Sequence, residues 1–344
     1  MTNRRTLMGM MASTAIALAA GNVAMAADVN LKMHGFLPLG ATIPAAIVQP
    51  WIDQVEANSN GRIEIDHFGT MALGGTPPEL FDQAVDGITD ISWTVIGYTP
   101  GRFPSTEVME LPFMVDDART ASSALWNLTE SQLMDTEFKD VKVLGTWVHG
   151  PGMFHTSDPV EVPSDLEGMK IRGGSRMVNQ LLEATGATGV GMPVPALPEA
   201  LSKGVVDGAT IPWEVTGTLK VPELVENHTE FDGSALYVLS FVMSMNLDVW
   251  NSLDADLQAV IDAASGHDFS VFAGGTQEDA DAPARAMAEE LGNNIITVSE
   301  EDAVKWREVV SPIIDGWVAE MGGKGIDGQG LIDQVQASMA AYGQ

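Results

Sequence analysis

Met169-Lys-Ile-Arg172-Gly173-Gly174-Ser175-Arg176-Met-Val178 reads as a strand, a glycine turn and a capped helix. Met169 to Arg172 supplies the short strand. Ser175 can accept a hydrogen bond at the helix start. Val178, Leu181 and Leu182 then recur on one face, and Gly186 suits the helix end. A strand running through a turn into a helix is the unit of α/β architecture. Ligands of open α/β sheets collect at the C-terminal ends of strands, where Arg172 stands. The free N–H groups of Gly173 and Gly174 and the helix dipole favour an anion there. A guanidinium adds a planar fork that fits a carboxylate through two parallel hydrogen bonds. Spacing alone weighs this receptor evenly against an ordinary surface arginine.

The same pattern extends in both directions. Leu31 and Met33 flank Lys32 in a strand ending near Gly35. A helix follows, with Pro44 in its first turn and Ile47, Val48, Trp51, Ile52 and Val55 on one face; Pro50 should kink or delay it. Arg62 to His67 is a half-exposed strand, Leu80 to Val85 a helix stopped by Gly87, and Asp90 to Ile96 a buried strand. Beyond these, Val141 to Trp147 and Asp207 to Ile211 are strands and Pro195 to Lys203 a short helix. The last third is mostly helical: Asp268 to Leu291, divided by Pro283, then Glu300 to Met321 and Leu331 to Tyr342. Ile295 to Val298 is a strand between them.

The ends and the charge bound the function. Arg4 and Arg5 precede an apolar run from Leu7 to Ala20 and then Ala24-Met25-Ala26, the pattern of a signal peptide over residues 1–26. Asn3-Arg4-Arg5-Thr6-Leu7-Met8 is also a loose twin-arginine signal, so the expected location is the periplasm. Removing those 26 of 344 residues takes away two positive charges and moves the formal net charge from −30 to −32. Such a charge argues against nucleic acid and anionic membranes as partners. Salt screens exposed charges over about 8–10 Å, so a local cationic pocket can still hold an anion. There is no cysteine, hence no thiolate nucleophile and no cysteine-based metal site. No cofactor or metal is expected.

Asp165-Leu-Glu-Gly-Met-Lys-Ile-Arg172 resembles the DLxGxKIR motif of TRAP-transporter (DctP) solute-binding proteins. Leu73-Gly-Gly75, Gly87-Ile-Thr-Asp-Ile91, Glu110-Leu-Pro-Phe113, Gly186-Ala187, Met192-Pro193 and Gly204-Val-Val-Asp-Gly208 fit the same family in the same order. So do Met245-Asn246, Trp250-Asn-Ser-Leu253 and Leu257-Gln258. The resemblance implies two α/β lobes with a ligand cleft between them, joined by crossing segments and a long helix spanning both. Lobe I is expected over 27–149 and 238–277, and lobe II over 150–237 and 278–344. It also implies that Arg172 pairs with a ligand carboxylate and that a monomer delivers the ligand to TRAP permease subunits in the membrane. Two positions depart from the common pattern. Ile211-Pro-Trp-Glu214 replaces an asparagine after the Gly-x-x-Asp-Gly motif, and Gly152 falls near the place of a second arginine. A single carboxylate on a less polar body is the ligand these departures favour.

The aromatic residues agree. Trp93, Trp147 and Trp213 sit near strand ends, where aromatic walls pack flat ligands; Phe154 and Met192 could add apolar surface. Each could equally be core. Glu214 could accept from a ligand hydroxyl, hold a bridging cation as in the 2-oxo-acid-binding branch of the family, or pair with Arg172 or Arg176. His34 and His149 could donate to a ligand oxygen. The ligand-binding candidates are therefore Arg172, Gly173, Gly174, Trp213, Glu214, His34, Trp93, Trp147, His149, Phe154 and Met192. The expected function is capture of an aromatic monocarboxylate of the benzoate or hydroxybenzoate type. The alternative is a 2-oxo or 2-hydroxy acid held partly through a cation. An exported hydrolase is the competing class, but no Gly-x-Ser-x-Gly elbow, His-Glu-x-x-His or phosphate loop is present.

Overall fold

The computed structural model describes residues 27–342. The signal peptide expected over 1–26 lies outside the described residues. Two sheets carry the fold. The first contains β1 (Val29–His34), β2 (Ile63–Phe68), β3 (Ile91–Val95) and β4 (Val141–Val148). The second contains β5 (Met153–Thr156), β6 (Lys170–Gly173), β7 (Thr188–Gly191), β8 (Gly208–Ile211) and β9 (Asn227–Phe231). β10 (Ser240–Asn246) returns to the first sheet and β11 (Asn294–Val298) to the second. The orders are β2-β1-β3-β10-β4 and β11-β9-β5-β8-β6-β7. β1 runs parallel to β2 and β3, and β6 parallel to β7 and β8, as helical crossovers require. β10 is antiparallel to β3 and β4, and β5 antiparallel to β8 and β9.

The helices are α1 (Gln49–Asn58), α2 (Leu80–Val85), α3 (Ala118–Leu128), α4 (Arg176–Ala184), α5 (Leu197–Ser202) and α6 (Trp213–Leu219). After them come α7 (Leu247–Ser252), α8 (Ala255–Ala264), α9 (His267–Asp279), α10 (Asp281–Glu290), α11 (Glu300–Gly323) and α12 (Gly328–Ala341). Of the two outcomes expected of Pro50, the structure shows the delay. A π-helical turn over Ile43–Val48 feeds into α1, which places Pro50 in the first turn of α1, where its missing N–H costs little. Pro283 acts as expected but three residues upstream of itself: α9 ends and α10 begins at Ala280. Proline cannot donate to the carbonyl four residues back, and its ring crowds that carbonyl.

Four passages tie the lobes together. The chain leaves β4 through His149-Gly150-Pro151-Gly152 into β5 and returns from β9 to β10 through residues 232–239. α9 packs on α3 and β4, whereas α10 packs on α6, so the break at Ala280 straddles the two lobes. α11, 24 residues and hence about 36 Å long, is the second bridge. Its Trp306 packs on Phe154 and Phe231 of the second sheet, while Trp317 joins the cluster that holds Leu125 and Ala121 of α3. The expected grouping of 278–344 with lobe II therefore needs correcting for α12, which packs on α3 of lobe I. Its polar side chains meet there too, Asn127 donating to Ser338 at 2.9 Å. A helix reached through a bridging α11 docks wherever its apolar face, Leu331, Ile332 and Val335, finds cover.

Candidate functional site

The strand, turn and helix at Lys170–Ala184 form as read: Ser175 caps α4 by accepting from the Val178 N–H at 3.3 Å. Arg172, at the third position of β6, is 1% exposed. Its Nε donates to the Met192 carbonyl at 2.9 Å and its Nη1 to the Thr210 carbonyl at 3.2 Å, while Nη2 has no partner among the described residues. The two carbonyls hold the plane of the guanidinium and leave one edge free.

That edge borders a small cavity of about 30 Å³ between the lobes. The walls are closed tightly on it, for small-molecule sites typically hold roughly 300–1,000 Å³. Its polar lining is Arg172, Tyr98, Tyr237, His149, Glu214 and Gln277. Its apolar walls include Phe36 and Ile43 from the first lobe, Ile211 and Val215 from the second, and Leu239 and Phe241 from the returning chain. Most of the wall is carbon; the polar groups are few.

Tyr98 Oη accepts from the Val194 N–H at 2.9 Å. Burial raises the Tyr98 pKa and Arg172 opposes the rise, so the phenol stays a donor. Tyr237 Oη has no partner among the described residues. Burial pushes its ionisation far above the usual range, again against the pull of Arg172. A Cβ at Gly152 would lie 2.3 Å from the Tyr237 ring. The phenol thus fills the space that a side chain at position 152 would need.

Glu214 is 5% exposed, at the start of α6. Trp147 Nε1 donates to Gln277 Oε1 at 2.7 Å, and Gln277 Nε2 donates to Glu214 Oε2 at 3.2 Å. Indole can only donate, so the Gln277 amide has one orientation and Glu214 Oε2 is an acceptor. Glu214 Oε1 has no partner among the described residues. Burial raises the Glu214 pKa; the Thr42 hydroxyl eases this without reaching hydrogen-bond geometry, and Gln277 eases it too. The Glu214 backbone N–H donates to Asp281 Oδ1 at 2.7 Å. Burial, with Glu214 and Glu278 nearby, pushes the Asp281 carboxyl up to about 8.

The other expected site residues take different places. Gly173 and Gly174 do not line the cavity. A Cβ on Gly174 would press within 2.5 Å of Leu239 and 3.2 Å of Arg172 Nη1, and one on Gly173 within 2.2 Å of Asn179, so both glycines make room. Met192 contributes its carbonyl to Arg172 and its side chain to a separate groove. Trp93 lies in the layer behind the wall, its ring centroid 4.7 Å from that of Phe36. Trp147 is likewise one layer back, stacked on Phe241 at 5.3 Å. Trp213 points away from the cavity: its Nε1 donates to Glu230 at 3.1 Å and its ring packs on His155 and His228. Phe154 is core, packed on Trp306.

The histidines are structural. His34 Nδ1 donates to Gln83 Oε1 at 2.6 Å and its Nε2 accepts from the Leu73 N–H at 3.2 Å. His149 touches the cavity, but its Nδ1–H donates to the Gly150 carbonyl and its Nε2 accepts from the Leu239 N–H at 3.0 Å. Nδ1 bonds within its own crossing strand and Nε2 ties that strand to the returning one, and burial depresses its pKa to about 4. No donor remains for a ligand. Phe36, Tyr98, Tyr237, Phe241 and Gln277 were missed by sequence reasoning. Only Tyr98 and Tyr237 carried a usable signal, as two of three tyrosines in the chain.

Two α/β lobes closed on a cavity with one buried cation have the arrangement of a solute-binding protein. Residues 39–320 match the bacterial extracellular solute-binding protein family 7, DctP. The chain belongs to that family and is a TRAP solute-binding protein, a transport component and not an enzyme. It is similar to the crystal structure of a TRAP solute-binding protein from Rhodoferax ferrireducens T118 in complex with copurified benzoate. There the identity is 42%, the TM-score 0.89, and the match covers 90% of this chain and 97% of that one. A marine metagenome TRAP solute-binding protein specific for aromatic acid ligands, solved with 3-hydroxybenzoate, is 39% identical with a TM-score of 0.90 over 93% of this chain and 100% of that one. The C4-dicarboxylate-binding periplasmic protein DctP of Rhodobacter capsulatus is 23% identical over 95% of this chain and 97% of its own length. The family is extracytoplasmic, and no helix among the described residues is long and apolar enough to cross a membrane.

Proposed function

We propose that this protein captures a monocyclic aromatic monocarboxylate between its lobes and hands it to TRAP permease subunits in the membrane. The observation that carries the reading is the free Nη2 edge of a buried Arg172 facing a cavity walled mainly by carbon. Arg172 Nη2 and the Tyr237 hydroxyl grip the carboxylate, with Tyr98 beside them. The ring lies among Phe36, Phe241, Ile43 and Leu239, gaining burial and offset stacking. A second cation would be needed to bind a dicarboxylate tightly, and among the described residues Arg172 is the one cationic side chain lining the cavity. The similarity to proteins solved with benzoate and 3-hydroxybenzoate supports the same class. In this reading the chain is exported by its signal peptide, by the general or the twin-arginine route, and works as a monomer in the periplasm.

A thermal-shift panel tests it. Ligand at 100 times its dissociation constant stabilises the folded state by about 2.7 kcal/mol, a readable rise in melting temperature. Benzoate and its hydroxylated relatives should raise it; succinate, malate and sialate should not. A shift confined to the dicarboxylates or sialate would overturn the proposal. The second reading, a 2-oxo or 2-hydroxy acid held through a cation, draws on the unpaired Glu214 Oε1. It requires binding of such acids to depend on sodium.

A further inference from the structure

We infer that Glu214 reads a ring hydroxyl, so that the preferred ligand is an aromatic monocarboxylate bearing a phenolic hydroxyl at its 3- or 4-position rather than unsubstituted benzoate. This rests on the aromatic-acid reading above and names the residue that selects within that class.

Four observations converge. First, Glu214 Oε1 is a buried carboxylate oxygen without a partner among the described residues, on a side chain that lines the cavity. A buried oxygen left this way costs free energy until something donates to it. Second, no protein donor reaches it: the Thr42 hydroxyl lies near without hydrogen-bond geometry, and the other donors are committed. Gln277 is oriented by Trp147 and spends its amide on Oε2, and His149 spends both ring nitrogens on the crossing strands. The missing donor must therefore come from the cavity's occupant. Third, Glu214 is not an ion-pair partner for the arginine. Arg172 eases the ionisation of Tyr98 and Tyr237, whereas Glu214 is eased by Thr42 and Gln277 only. Arg172 and Glu214 line one cavity and bond to other partners rather than to each other, so an occupant meets two separate polar groups. Fourth, the lone Oε1 offers a single acceptor contact, which one hydroxyl donor fills by itself. A neutral donor matches a lone oxygen better than a cation does. A flat ring with an acid at one end and a hydroxyl toward the other fits both groups at once. In 2-hydroxybenzoate the hydroxyl lies beside the carboxylate and stays with the first group.

Calorimetry on the purified wild-type chain, Glu214→Gln and Glu214→Met tests this with benzoate and 2-, 3- and 4-hydroxybenzoate in sodium-free buffer. The wild type should bind the 3- or 4-isomer roughly tenfold to a hundredfold more tightly than benzoate, and should show no such gain for the 2-isomer. Glu214→Met should erase that preference while still binding benzoate, which also shows that the variant is folded. Glu214→Gln keeps an acceptor oxygen and should retain part of the preference. The α6 anchor is a backbone N–H and survives both substitutions. Equal affinity of the wild type for benzoate and all three isomers, a preference that persists in Glu214→Met, or binding that appears only on adding sodium would each overturn the assignment. Failure of the wild type to bind any aromatic acid would instead remove the reading beneath it, and is recognisable because benzoate itself would not bind.

Discussion

Replacing Arg172 is the sharpest perturbation available. The side chain is 1% exposed, and two of its nitrogens are held by the carbonyls of Met192 and Thr210. Only Nη2 remains for a ligand. In Arg172→Met the shape is roughly kept and the charge is gone. A carboxylate closed into the cavity would then be buried without its counter-charge, which costs about 3–5 kcal/mol. At about 1.4 kcal/mol per tenfold, that is a hundred- to several-thousandfold loss of affinity. The apo protein should suffer less. Two carbonyls lose a donor, but the penalty of burying an unpaired guanidinium edge disappears with it. Arg172→Lys should fall between, because one ammonium cannot reproduce a fixed fork that serves two carbonyls and a ligand together. The assay is calorimetric titration with a hydroxybenzoate, paired with thermal melts of the empty protein. Because the pair is buried, wild-type affinity should change little between low and high salt. A dissociation constant for Arg172→Met within tenfold of wild type would refute the reasoning, whatever the melting temperature.

Three further outcomes follow from the same geometry. Tyr237→Phe removes a buried hydroxyl that has no protein partner, so the empty protein should melt no lower than wild type while ligand affinity falls roughly tenfold or more in titration. Arg176, on α4, bridges Glu107 of the first lobe and Glu320 of α11, so Arg176→Ala should loosen lobe closure; stopped-flow release should quicken several-fold with little change in which acids bind. Stability should peak near pH 6 and fall above it. Burial holds His67, His149 and His228 at about 4 against an ordinary 6.5, so their contribution is complete above 6.5 and is lost as pH falls toward 4. Glu110 and Asp281 sit at about 8 against ordinary values of 4.5 and 3.8, so theirs is complete below those values and is lost as pH rises through 8. Between 6.5 and 8 only the acids act, each worth about 1.4 kcal/mol per pH unit at most. Melting temperatures recorded from pH 5 to 9 check this, and a curve still rising from 6.5 to 8 would contradict it.

Local signals made most of the fold readable. The Met169–Ser175 run, the proline break before Pro283 and the apolar faces of α1 and α4 rest on chain geometry alone, and local sequence specifies them. The docking of α12 on α3 was not readable, because it depends on how far α11 carries the chain rather than on any local pattern. The site divides in the same way. Arg172 and Glu214 stand out because buried charge at a strand end is rare. The aromatic wall was read one layer too deep: Trp93 and Trp147 are large and central, and it is Phe36 and Phe241, lying on top of them, that face the cavity. Periodicity marks which side of a strand is buried, but both layers are buried here. Trp213 misled for a related reason. Adjacent residues at a helix start point in different directions, so Glu214 faces the cavity while Trp213 turns toward Glu230.

The cavity also explains how so acidic a chain can hold an anion. Net charge acts through solvent and is screened within about 8–10 Å, so it governs solubility and encounter more than the bound state. What the bound carboxylate meets is local. Glu110 and Asp281, both buried and pushed up to about 8, keep their protons at neutral pH and add little negative field. His149 is held neutral by burial and by its two backbone bonds, so it adds no positive field either. Arg172 is the one cationic side chain lining a space walled mainly by carbon, where a low local dielectric strengthens its field. The same burial that silences the neighbouring acids and histidine therefore gives the one guanidinium its strength. Selectivity then passes to neutral contacts, the Tyr237 hydroxyl near the arginine and the acceptor oxygen of Glu214.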